Sequence, residues 1–172
     1  MHMIFRFLLL YLTRKSKKPL AFDEMNEVTM RVLPTDLDFL WHVNNGVYFS
    51  YMDFGRMDMI FRNGIYQLCQ KMGWYGVVAS ESIKFKRSLQ LWDKFTIQTK
   101  TVAKDDKYFF IEQKIFSRGH LMSTGLVKIR FLKKSGGTVG VDEILSHFKN
   151  IPKDHHQELS LDWQSLESKY LV

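Results

Sequence analysis

Between Thr35 and Gly46 the chain gathers Asp36, Asp38, His42, Asn44 and Asn45, and runs straight into a long apolar segment from Val47 to Arg62. If that segment is a helix, its first backbone N–H groups have no partner within it and carry a partial positive charge. Such groups stabilise a developing negative oxygen. Asp38 stands seven residues ahead of Asn45, a spacing that lets it fold back over the same helix end. A carboxylate beside an oxyanion hole suffices to hydrolyse an activated ester: the carboxylate attacks or activates water, and the helix end holds the oxyanion. Simpler roles exist for the same residues. Asn45 suits a helix N-cap, Asp36 and Asp38 suit turns, and His42 suits a packed, hydrogen-bonded histidine. Asp53 and Arg56, three apart on the helix, suit a local ion pair.

The positioning elements follow from periodicity. Residues 27 to 34 alternate apolar and polar up to Pro34, as a half-buried strand does. Residues 47 to 62 are apolar around most of the circumference, so the expected helix is buried, and Gly55 within it marks a close approach to the backbone. A short amphipathic helix is expected from Ile65 to Met72, stopped by Gly73. Segments 76–87, 94–103, 107–117 and 121–133 each alternate and are joined by short connections, which predicts four consecutive strands of an antiparallel meander. Weak helical stretches follow near 142–149 and 160–170. The expected fold is α+β, a five- to six-stranded antiparallel sheet wrapped around one long central helix. Such a sheet keeps an edge that a two-fold partner can cover, so a homodimer is expected, with a tetramer as a further step.

Composition narrows the partners. With 172 residues, 45% of them hydrophobic, the chain has the length for one cored domain. It divides into an apolar and basic segment (1–22), a domain (23–150) and a C-terminal tail (151–172). Cys69 is the single cysteine, so no internal disulfide forms and a cytoplasmic, reducing setting is expected. The net charge of +7 opens nucleic acid, an anionic membrane surface or a phosphate-bearing ligand as partners. The cations lie scattered through alternating strands with no zinc-finger or helix-turn-helix spacing, so nucleic acid is not expected. Residues 3 to 12 form an apolar run broken by Arg6 and followed by Arg14, Lys15, Lys17 and Lys18. Ten residues do not cross a bilayer; residues 3–18 form either a helix in the membrane interface, its basic end on anionic headgroups, or a helix packed on the body of its own oligomer. The six histidines are dispersed, with His155 and His156 in the tail and no ligand spacing, so no metal site is expected. The G-x-S-x-G elbow of serine hydrolases is absent from the sequence.

The stretch P-T-D-L-D-F-L-W-H-V-N-N-G-V-Y-F, with M-D-F-G-R-M-D behind it, resembles the 4-hydroxybenzoyl-CoA thioesterase branch of the hot-dog superfamily, and within it a subgroup of small thioesterase-like proteins. The likeness runs from about residue 27 to residue 134. It implies a hot-dog fold and hydrolysis of acyl-CoA to free acid and coenzyme A, with no cofactor beyond the coenzyme A of the substrate. Asp38 falls on the catalytic carboxylate, the backbone N–H of Asn45 on the group that polarises the thioester carbonyl, and His42 or Asn44 on the residue that orients water or holds the loop. Substrate contacts are expected from Trp41, Asn44, Gly46, Tyr48 and Asp53, with Met52 and Phe85 along the acyl group. Lys84, Lys86 and Arg87 would meet the phosphates of coenzyme A: Lys84 and Lys86 lie two apart and so on one face of a strand, with Arg87 beside them, and Lys128 and Arg130 repeat the arrangement. Most characterised members of the branch carry glycine where this chain has Trp41, whose indole would line the acyl pocket or crowd the thioester. The alternatives are a non-catalytic acyl-CoA or fatty-acyl binding protein, and a thioesterase acting on an acyl-carrier protein.

Overall fold

The computed structural model describes residues 2–148. The predicted helix over 160–170, the tail 151–172 and His155 and His156 lie outside that range. In chain order the elements are α1 (His2–Thr13), β1 (Asn26–Arg31), α2 (Asn45–Arg62), α3 (Ile65–Met72), β2 (Trp74–Phe85), β3 (Lys94–Lys104), β4 (Phe109–Ser117), β5 (His120–Lys133), β6 (Thr138–Val139) and α4 (Val141–Leu145). All pairings are antiparallel and the sheet runs β1-β3-β4-β5-β2, with the two-residue β6 beside β5.

That order corrects one expectation. β3, β4 and β5 form a meander, but β2 pairs with β5 from Trp74↔Lys133 to Phe85↔Ser123 rather than with its successor β3. Alternation identifies a strand and its faces, and carries no information on which neighbour it pairs with.

α2 begins because Asn44 caps it: the Asn44 side-chain oxygen accepts from the Gly46 N–H at 2.8 Å. It lies across the concave side of the sheet, burying Tyr48, Tyr51, Met52, Phe54 and Met59. Gly55 is where the sheet comes closest. A Cβ built there would stand 2.8 Å from the Thr99 hydroxyl and 2.9 Å from Ile97, so the helix reaches its seat only without a side chain at that position. Beneath it the Gln113 amide donates to the Met52 carbonyl and to Thr99, and the buried Arg56 donates to Gln113 and Glu81.

The segment 1–22 is no appendage. Phe7 packs on Phe54 with ring centroids 5.4 Å apart, Leu10 joins the cluster of Val28, Phe54 and Phe61, and two cations reach inward. Arg6 bonds the fully buried Asp36 at 3.0 Å and the Arg31 carbonyl at 3.1 Å. Lys17 pairs with the fully buried Asp58 of α2.

Candidate active site

The loop ahead of α2 is a small hairpin. Asn44 N–H donates to the Asp36 carbonyl, Leu37 bridges Val43, and Asp38 N–H donates to the His42 carbonyl at 2.8 Å. Phe39, Leu40 and Trp41 form its tip, all exposed. Asp38 turns inward on this tip: its Oδ1 accepts from Leu40 N–H at 2.8 Å and His42 N–H at 3.3 Å. These bonds use the turn chemistry of aspartate, and they leave Oδ2 with no acceptor bond among the described residues.

The hairpin pairs Asp36 with Asn44 and Asp38 with His42, so Asp36 stands level with the cap of α2 and Asp38 stands further up the hairpin, towards its tip. Asp36, below it, is spent on structure: it takes Arg6 and the Leu33 N–H at 2.8 Å. The Tyr51 hydroxyl lies beside that carboxylate, and burial together with the neighbouring negative charge pushes its ionisation far up.

Asn44, not Asn45, is the cap. Asn45 is the first helical residue, and its backbone N–H has no acceptor among the described residues. An orphan N–H at the positive end of an 18-residue helix is available to a substrate oxygen. Gly46 follows it, exposed, with its own N–H held by the cap. His42 is exposed and pairs through its backbone with Gln90, so the hairpin is tied to the β2–β3 connection.

Trp41 occupies a backbone position with φ of +62°, the left-handed region that glycine adopts without cost. Its indole is 72% exposed, outside the core of the described chain. Tyr48 and Met52, expected along a substrate, are core residues here. The Tyr48 hydroxyl accepts from Leu89 N–H at 2.9 Å and its ring meets Phe85 edge-on; burial raises its pKa, against the lowering effect of the Leu89 bond.

The expected cation face divides. β2 ends at Phe85, so Lys84 and Lys86 do not share a strand face. Lys84 points to the sheet side away from α2, beside a hollow lined by Ser82, Glu112, Thr124 and Leu126. Lys86 and Arg87 are on the following connection, where both backbone N–H groups donate to the Met122 carbonyl. Lys128 is buried, with its ammonium 4.3 Å from the Tyr108 ring centre. Arg87 instead joins Gln90, His120 and the Arg118–Asp93 ion pair around a hollow of about 200 Å³. Gln90 is the partner of His42, so this hollow adjoins the hairpin. Strand pairing brings Arg118 and His120 there from the β4–β5 turn; no sequence spacing links them to Arg87.

Asp53 lies eight residues beyond Asn45, about 12 Å along the helix. With Arg56, 3.4 Å away, it borders a cavity of about 230 Å³ walled by Met57, Ile60, Cys69, Trp74 and Phe131. Cys69 is part of that apolar wall, and burial pushes its thiol pKa up.

A family model described as the thioesterase-like superfamily matches residues 32–158. The Xenopus laevis protein THEM6 is 43% identical over 83 residues, 48% of this chain and 40% of that protein, so the match spans less than half the length of that relative. Among solved structures, the YbaW probable thioesterase of Escherichia coli superposes with a TM-score of 0.67 at 21% identity, covering 70% of this chain and 94% of the other. A Thermus thermophilus thioesterase complexed with coenzyme A and Zn gives 0.62 at 26% identity, over 71% and 89%. The curled sheet around one helix is the hot-dog fold of these structures.

Proposed function

Since this chain belongs to the thioesterase-like superfamily, we propose that it hydrolyses the thioester of an acyl-coenzyme A to the free acid and coenzyme A. The observation that carries the reading is an Asn45 N–H with no partner among the described residues, at the start of α2, and on the hairpin ahead of it Asp38 with Oδ1 held by two amides and Oδ2 free of them. In this reading the thioester carbonyl accepts from Asn45 N–H. Either Asp38 Oδ2 takes a proton from the water that attacks the carbonyl carbon, or it attacks that carbon itself and water then cleaves the mixed anhydride to free the acid and restore Asp38; in both the thiolate of coenzyme A leaves and is protonated. Arg87 and His120, at the hollow they share with the Arg118–Asp93 pair, suit the coenzyme A phosphates, and the cavity beside Asp53 suits an acyl chain. β2 is an edge strand with Tyr75, Val78 and Phe85 exposed along it, which supports a two-fold partner on that side. A single buried cysteine supports a reducing, cytoplasmic setting.

The test is thiol release from acyl-CoAs of graded chain length and from an aromatic one. Asp38→Asn keeps an Oδ1 acceptor for Leu40 and His42, so it is expected to fold normally and lose at least about 100-fold in kcat. Wild-type protein that binds acyl-CoA and frees no thiol from any of them defeats the hydrolase reading.

A further inference from the structure

A surface helix of a water-soluble protein turns its apolar face inward and its polar face out. α1 has no polar face. Met3, Arg6, Phe7 and Leu10 face the domain, while Ile4, Phe5, Leu8, Leu9 and Leu12 point away from it, each more than half exposed. At about 100° per residue these five fall within an arc of about 140°, a continuous stripe rather than scattered positions. Contiguous exposed apolar surface of this kind marks an interaction site.

The charges around the stripe are sorted. Arg6 and Lys17 are consumed by the buried carboxylates Asp36 and Asp58. Arg14, stacked on the Tyr11 ring, and the exposed Lys15 and Lys18 remain at the end of the stripe. Residues 1–22 contain no aspartate or glutamate, so the whole patch is apolar and cationic with nothing to neutralise it. A second copy would offer the same patch, again without an acid. An anionic lipid surface supplies both complements, acyl chains for the stripe and phosphates for the cations. No helix among the described residues is long and apolar enough to cross a bilayer. The anchoring of α1 through Asp36 and Asp58 makes it a fixed part of the body, so whatever α1 rests on, the hairpin bearing Asp38 is held next to it.

We propose that α1 is a lipid-docking helix: its outer stripe lies in the headgroup boundary of an anionic membrane, with Arg14, Lys15 and Lys18 on the headgroups. The inference stands apart from thioester hydrolysis and is read without turnover.

Co-sedimentation of the full chain with phosphatidylcholine vesicles, with and without about one-third phosphatidylserine, tests it. The wild type is expected on the anionic vesicles, several-fold less on neutral ones, and less in high salt. Leu8→Glu/Leu9→Glu is expected to lower binding at least tenfold with little change in melting temperature, because both side chains are more than half exposed. Lys15→Glu/Lys18→Glu is expected to remove the preference for anionic lipid. Failure of the wild type to bind vesicles overturns the proposal, and so does undiminished binding of the leucine variant. A leucine variant that only halves the solution mass, with no vesicle binding by the wild type, reassigns the stripe to self-association.

Discussion

Trp41 is the residue whose chemistry and conformation disagree most. A left-handed backbone costs a residue with a Cβ about 1–2 kcal/mol, and the exposed indole recovers little of it by packing. Trp41→Gly is therefore expected to leave stability unchanged or raise it by up to about 1 kcal/mol, the opposite of the usual result of deleting a tryptophan; urea denaturation measures it. The same variant assayed for thiol release tells whether the indole touches substrate. Tyr48 sits at the other extreme. Tyr48→Phe keeps the ring and orphans the buried Leu89 N–H, at an expected cost of about 1–3 kcal/mol, visible in the same melts. The types and spacing of Asp38, Asn45 and Trp41 were readable from sequence. What each side chain does was not: Asp36 and Asp38 are alike as letters, and only the arrival of Arg6 from thirty residues away makes one of them structural. Likewise the two asparagines differ only in which one supplies the cap, a matter of one residue's backbone torsion.

Among the elements, α2 is the most legible, since a run apolar on nearly all sides has one stable place, under the sheet. Its interior glycine made a prediction that the contact with Thr99 and Ile97 bears out. Gly55→Ala is expected to destabilise by about 1–3 kcal/mol despite alanine's better helix propensity, because the neighbours are a strand face with no room to recede; a thermal melt settles the sign. β2 shows the reverse case. Its alternation marked it as a strand, yet of the two lysines assigned to one of its faces only Lys84 lies on it, while Lys86 falls on the following connection, since the strand stops at Phe85. Pairing is decided by contacts between residues some forty to sixty apart in sequence, beyond the reach of a local pattern.

At the scale of the molecule, the N-terminal segment is held by two carboxylates that have almost no access to water. Arg6→Met removes the ionic partner of Asp36, and the expected loss is about 3–5 kcal/mol in denaturant unfolding, whereas the exposed Leu8 and Leu9 can be changed at little cost. Truncating residues 1–18 would therefore disturb the fold as well as the surface. Tyr48 and Tyr51 keep their protons in the folded chain above the ordinary tyrosine value of 10.0, while in the unfolded chain they lose them there. The unfolded state then binds fewer protons, so stability should fall as pH rises past about 10, and Tyr51→Phe should make that fall shallower in melts followed across that range. The sheet's two edges also differ. β1 is flanked by α1, with Arg6 occupying the Arg31 carbonyl, while among the described residues nothing pairs with the outer side of β2. A strand ladder with one blocked end and one free end has a single growth point per molecule. Addition at β2 would consume the growth point of both copies, so edge pairing there would stop at two, and the arginine that steadies the hairpin of Asp38 also holds one carbonyl of the other edge.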